Sequence, residues 1–215
     1  MTGTCLSTKL IVCGILAVVI ISALTAFAYS SEDAALRSVS EIGLKSTVGV
    51  MAAELNARDV EGLKPGDEMS PRYLAVANHL MTMRSMNDIS LNAYILKVNP
   101  DGTITFLVDN LYPEDPQGSA KIGEVSTAPD RADIISTLSG PTTSKQPYTM
   151  KYGSFMTAYA PIDDSAAGSN GDTYAILAID ISAKDYINAT SKGQLIILTG
   201  IVSIIIALGA ISASA

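Results

Sequence analysis

The sequence predicts an α+β fold: a long N-terminal helix packed on an antiparallel sheet of about five strands, flanked by two transmembrane helices. Three observations predict it. Two uncharged apolar runs of 19 residues each, Leu10–Ala28 and Leu195–Ala213, bracket the chain. All 21 acidic residues and 13 of the 14 Lys and Arg residues lie between the runs, with Lys9 alone outside. Inside the bracket, an apolar rhythm of helical period comes first and short strand-like runs follow.

Each run is long enough to cross roughly 30 Å of hydrocarbon at about 1.5 Å per residue. The predicted organisation is a short cytoplasmic N-terminus at 1–9, a first transmembrane helix at 10–28, an extracytoplasmic domain at 29–192 and a second transmembrane helix at 194–213. Lys9 and the N-terminal amine place the short side in the cytoplasm by the positive-inside rule. The expected location is therefore the cell membrane, crossed twice, with both termini cytoplasmic. A cleaved signal peptide is the alternative for the first run, with Ala26-Phe27-Ala28 as its cleavage site. The helical pattern continues past Ala28 into charged residues, which favours an intact helix.

The only cysteines, Cys5 and Cys13, precede the central domain, so that domain has no disulfide and no thiolate metal site. Cys5 reads as an idle small residue or a lipid attachment point. Between the runs, 13 basic residues face 21 acidic ones, a net charge of −8. Binding a phosphate backbone needs a basic face, so nucleic acid is excluded as a partner.

The elements follow in order. Residues 31–59 carry Leu36, Val39, Ile42, Val50, Met51 and Leu55 near helical spacing, which predicts a stalk helix continuous with the first run. The segment GLKPGDEMS breaks it. Ser70 and Pro71 are an N-cap and first-turn pair for a second helix to about Met86, with Leu74, Ala77, Leu80 and Met81 facing inward. Leu91–Val98 and Thr103–Asp109 flank Asn99-Pro100-Asp101-Gly102, a turn sequence, and predict a hairpin. A short helix is predicted over Asp130–Leu138, with a break over Pro141–Pro147. Two last strands, Ser154–Ile162 and Thr173–Ile181, are expected to pair across the loop DDSAAGSNGD, and Ser182 caps a helix beyond them.

At these residues a resemblance emerges. The run YGSFMTAYAPIDDSAAGSNGDTYAILAIDIS, Tyr152 to Ser182, resembles the signature of Cache domains, the PAS-like (PDC) extracytoplasmic sensors of prokaryotic membrane receptors such as sensor histidine kinases and chemoreceptors. Upstream, NAYILKVNPDGTITFLVDN is similar to the family's first hairpin, and the loop ending AKIGE to its ligand-side loop. With room for one such unit, the resemblance implies a single Cache domain. It further implies a small charged ligand, a carboxylate or an amine, held between the sheet and the loop-helix segment after the hairpin. Parallel homodimers through the stalk are implied as well, with Gly43, Ser46 and Gly49 allowing close helix approach. No HAMP-like helix, kinase or cyclase follows the second run before Ala215. The chain is therefore expected to be either the sensor half of a larger receptor or a free-standing sensor with a cytoplasmic signalling partner.

Seven residues are the candidate ligand site. Asp180 occupies the position of the acidic residue that amino-acid-binding members of the family use for the ligand amine, and otherwise reads as a buried acid bonded to backbone. Tyr159 stands on the neighbouring strand, while Tyr94 and Asp109 on the first hairpin offer a hydroxyl and a carboxylate. Tyr148 and Tyr152 are candidates to wall the pocket. Arg84 is the candidate cation, because a planar guanidinium suits a carboxylate; otherwise it is a solvated charge favoured by the helix dipole.

Enzyme chemistry is not predicted, since no nucleophile elbow, P-loop or dinucleotide fingerprint occurs. No cofactor is called for. His79, the only histidine, stands in the apolar register of the second helix and has no metal-ligand spacing around it. Asp163-Asp164 reads as a solvated turn, and Asn188-Ala189-Thr190 is a glycosylation sequon. The function read from the sequence is small-molecule sensing, passed through strand and helix shifts to the second run. A structural or accessory envelope protein is the alternative.

Overall fold

A computed structural model describes residues 3–86, 90–162 and 174–188. The chain divides into two units, 1–40 with 188–215, and 41–187. Helix α1 runs over Gly3–Ala53, followed by α2 at Ala57–Val60 and α3 at Pro71–Ser85. Strand β1, Ser90–Val98, and β2, Ile104–Asp109, form the first hairpin; α4, Arg131–Ser136, continues into a 3-10 turn at Thr137–Ser139. Short strands β3, Thr142–Thr143, and β4, Tyr148–Met150, precede the long β5, Gly153–Pro161, and β6, Tyr174–Ser182.

The membrane expectation is corrected. Among the described residues, no helix is long and apolar enough to cross a membrane. The second run lies outside the described residues. The described residues therefore form an α+β fold, a long helix on an antiparallel sheet; the expected two-pass topology is corrected in that neither flanking span is found among them.

The 41–187 unit is built on one mixed-length antiparallel sheet of six strands, ordered β2-β1-β6-β5-β3, with β4 also on β5. The Tyr94 and Phe106 strands form the expected hairpin, and the Tyr159 and Ile179 strands pair along their length. Its centre is the β1–β6 pair, Asn92 opposite Asp180 through Val98 opposite Tyr174, which brings the two sequence-distant hairpins together. The hairpin turn closes as its residues dictate: Gly102 sits at φ 79, a conformation that L side chains rarely adopt. Asp101 Oδ1 accepts from the Thr103 amide at 2.9 Å. Strand β3 falls inside the break expected over Pro141–Pro147, and β4 begins at the residue after it. The tip between β5 and β6, with Asp163-Asp164, lies outside the described residues.

Strand alternation gives the sheet two apolar faces. On one, Ala93, Ile95, Met156, Ala158, Leu177, Ile179 and Ile181 pack with Leu44, Val48, Met51 and Ala52 of α1 and with Tyr73, Val76, Ala77, Leu80 and Met83 of α3. The α1 residues are spaced i, i+4, i+7, i+8, one helix face. The stalk is helical as expected, and of its apolar residues Val39, Ile42 and Val50 are 68%, 64% and 63% exposed. Those three lie on another face of the same helix. Ser70 caps α3 as expected, accepting from the Tyr73 amide at 3.2 Å. His79 is not in the core either: its side chain is 47% exposed and stands 4.0 Å from Glu54.

On the other face, Tyr94, Leu96, Ile104, Phe106, Tyr159, Ile176 and Ala178 meet Ala120 and Ile134 from the segment that follows β2. The cavity lies on this side.

Candidate functional site

A cavity of about 260 Å³ opens on the second face of the sheet. Leu96, Phe106, Leu111, Ala128, Ile134, Met150 and Phe155 give it apolar walls, and Asn92, Tyr94, Asp109, Tyr152, Tyr159 and Asp180 its polar groups. The volume lies near the small end of ligand pockets, and the mix of apolar wall with a few convergent polar groups is typical of them.

Five of the seven expected residues, Tyr94, Asp109, Tyr152, Tyr159 and Asp180, line the cavity. Tyr148 is bonded to the site from β4, its hydroxyl 3.3 Å from that of Tyr159. Arg84 is not brought to it. It stands near the end of α3, a helix of the opposite face, with Nη1 3.6 Å from the Met81 sulfur. Helical spacing shows that Arg84 follows the buried Leu80 and Met83, but not which face of the sheet the helix covers.

Asp109 reaches the cavity through an irregularity. Ile95 pairs with Val108 but Leu96 with Phe106, so Leu107 is an extra residue in β2. Leu107 and Val108 both pack on the helix side, and the next residue, Asp109, turns to the cavity side. Unbroken alternation from Phe106 would have turned Asp109 toward the helices; bulges commonly re-aim a side chain in this way. Its carboxylate accepts from the amides of Leu111 and Ala120, each at 3.0 Å, which folds the segment after β2 over the cavity. Burial pushes the Asp109 carboxyl up, against these two bonds and a hydrogen bond from Asn92. Its backbone is held from the other face, the Tyr73 hydroxyl donating to the carbonyl at 3.0 Å and accepting from the amide at 3.1 Å.

Asp180 is 5% exposed, at the centre of the sheet. Its Oδ1 accepts from Thr157 Oγ1 at 2.6 Å and from the Tyr94 hydroxyl at 3.1 Å. Burial drives its carboxyl up to about 7, the charges of Asp109 and Asp130 adding to the rise while the two hydroxyl bonds oppose it. Tyr94 and Tyr159 are pushed well above the ordinary tyrosine value, first by burial, and so remain neutral donors.

Two members of the site escaped the sequence reading. Asp130 precedes α4, accepts from the Tyr159 hydroxyl at 2.6 Å through Oδ2, and has a buried Oδ1 with no partner. Thr157 links Asp180 to Tyr148, whose hydroxyl is 2.6 Å from Thr157 Oγ1. Thr157 was findable, because it lies two residues before Tyr159 on the same face of a strand. Nothing in the sequence distinguishes Asp130 from a helix-capping aspartate.

The site holds three buried carboxyls, and among the described residues no Lys or Arg lines the cavity. Lys151, next to Tyr152, is engaged by Glu124 at 2.7 Å, and the Tyr152 hydroxyl donates to the same Glu124 oxygen at 2.8 Å. Among the described residues no group of His, Cys, Asp and Glu is arranged to hold a metal ion. Asn188 is exposed at the end of the helix 183–188, and the rest of its sequon lies outside the described residues.

No family model and no curated protein matches the chain. Among solved structures it is similar to the E. coli DcuS sensor domain, at 14% identity over 73% of this chain and 98% of that one, with a TM-score of 0.44. It is similar also to methyl-accepting chemotaxis protein X, at 14% identity over 78% and 61% of the two chains, TM-score 0.35. A third is the extracellular domain of soHK1S-Z6, at 14% identity over 76% and 66%, TM-score 0.33. These are likenesses of form, and what the cavity can hold is decided by its own side chains.

Proposed function

We propose that this domain senses a small ligand carrying an ammonium group and no carboxylate, held in the cavity between the sheet and the segment after β2. The observation that carries the reading is the cavity's charge. Asp109 and Asp180 line it, and Asp130 is joined to it through Tyr159, with no cationic side chain on its wall among the described residues. An ion taken from water costs several kcal/mol unless it is paired. A carboxylate entering here would meet further negative charge, whereas an ammonium would supply the missing counter-ion. Tyr94 and Phe106 put aromatic rings on the wall, and ring faces attract a desolvated cation; the Tyr152 ring already carries Lys151 Nζ, 4.6 Å from its centroid. Of the two ligand classes expected from the sequence, the absence of Arg84 from the cavity removes the support for the carboxylate.

A route for output begins at the same residue. Asp180 lies two residues before Ser182, whose hydroxyl accepts from the Asp185 amide at 3.3 Å and caps the helix 183–188. A ligand that pulls on Asp180 therefore pulls on the start of that helix, and it biases the helix only by binding one arrangement better than another.

A thermal-shift panel on the full chain tests this reading, using simple primary and quaternary ammonium ions, carboxylates and zwitterionic amino acids. A ligand at about 100 times its Kd adds roughly 2.7 kcal/mol of stability. Stabilisation confined to ammonium ions, and lost in Asp180→Asn, is the expected result. Stabilisation by carboxylates alone refutes it, and no response from any class favours an accessory protein that uses the fold for protein contacts.

A further inference from the structure

The hydroxyls around the cavity form one continuous chain. From Asp130 Oδ2 it runs to the Tyr159 hydroxyl at 2.6 Å, on to Tyr148 at 3.3 Å, to Thr157 Oγ1 at 2.6 Å, and to Asp180 Oδ1 at 2.6 Å. Each link is an oxygen–oxygen contact and needs one hydrogen. The chain has four links, and the three hydroxyls supply one hydrogen each. With both carboxyls ionised, one link is two lone pairs facing each other. With one added proton, every link is filled and every hydroxyl donates once and accepts once. The order then runs head to tail from either end, from Asp180 to Asp130 or the reverse. A second added proton would be one hydrogen too many.

We propose that Asp130 and Asp180 share a single proton along this chain of hydroxyls, so that the cavity end can be ionised while the proton rests at the far end. The ends are not alike. Asp130 Oδ1 is buried without a partner, a costly position for half of a negative charge and a tolerable one for the carbonyl of a neutral acid. Asp180 has the Tyr94 hydroxyl besides Thr157 to stabilise its ionised form. The chain therefore lets the proton sit at Asp130 and leaves charge where a ligand would meet it.

The surroundings contain the groups that such a unit requires. Facing Asp180 are Tyr94 from β1, Asp109 from β2, Tyr148 from β4, Thr157 and Tyr159 from β5, and Asp130. Facing Asp130 are Tyr159 and Asp133. The cations near the Asp130 end are directed elsewhere: Arg131 Nη2 donates to the Gly102 carbonyl at 2.6 Å, and Lys145 lies 4.0 Å from Asp133. Burial raises both carboxyls above the ordinary aspartate value, that of Asp180 to about 7.

The test is the carboxyl carbon titration of Asp130 and Asp180 by NMR in the full chain, without ligand. In the wild type the two carboxyls should titrate as a pair, in steps more than about one pH unit apart, the behaviour of coupled sites. Tyr148→Phe removes the middle hydroxyl and should narrow that separation, while Thr157→Ser keeps its hydroxyl and should preserve it. Independent single steps in the wild type overturn the proposal, and so does an unchanged separation in Tyr148→Phe. If Tyr148→Phe fails to fold, the wild-type curves and Thr157→Ser still decide. A second arm rests on the cation reading, with n-butylammonium added where one proton is held. The Asp180 carbon should move to its ionised position and that of Asp130 to its protonated one. Binding without this exchange refutes the coupling to ligand, and failure to bind counts against n-butylammonium as a ligand while leaving the shared proton to the first arm.

Discussion

Asp180→Asn tests how much the buried carboxyl costs the fold. The side chain is 5% exposed, and its carboxyl is raised from the ordinary 3.8 to about 7. Between those two values the folded chain holds a proton that the unfolded chain has lost, so stability falls as pH rises. At roughly 1.4 kcal/mol for each pH unit the full cost is about 4 kcal/mol above neutrality, set against the 5–15 kcal/mol that typically holds a domain folded. Asparagine keeps an oxygen for Thr157 and Tyr94 and removes the charge. Urea unfolding of both proteins from pH 4 to pH 8 is the assay. Relative to the variant, the wild type should lose about 4 kcal/mol across that range, the two converging near pH 4 and the variant being the more stable at pH 8. Asp109 shifts in the same direction and remains in both proteins, whereas Asp130 is coupled to Asp180 through the hydroxyl chain, so the difference reports the pair. Identical pH slopes would refute the reasoning, and a variant that does not fold at any pH would make the carboxylate a structural strut.

Two further outcomes follow from the geometry. Arg84→Ala should leave ammonium binding unchanged in a calorimetric titration; a loss of about 2–5 kcal/mol, as expected for a buried charge partner, would put Arg84 back in the site. Tyr73→Phe strips both hydrogen bonds from the Asp109 backbone and should cost about 1–3 kcal/mol in urea unfolding, with no change in m-value if the native state stays compact.

Local signals in the sequence carried local structure well. The Asn99–Gly102 turn fixes the first hairpin, Ser70 and Pro71 start α3, and the alternating runs around Tyr159 and Ile179 pair as neighbours. Five cavity residues were legible because alternation along a strand says which side chains share a face. What periodicity cannot give is which face meets which partner. Arg84 stands away from the cavity for that reason, since a helix's apolar spacing names a stripe and not the surface it lands on. The β1–β6 pairing that assembles the two hairpins is long-range and has no local signature. Neither has the Asp130 orphan oxygen, which exists only because the segment before α4 folds against Tyr159.

The extra residue at Leu107 makes the cavity's charge a question of parity. The same residues paired without the bulge would present the same list of side chains, yet turn the acid at 109 toward α3 and Val108 toward the ligand. Loss of the bulge with Leu107 kept would convert a doubly acidic wall into a singly acidic one, whereas deleting Leu107 restores plain alternation and leaves the acid at the cavity. On such a scaffold, preference for a dication or a monocation can change by a shift in register, without a new residue entering the cavity from elsewhere in the chain.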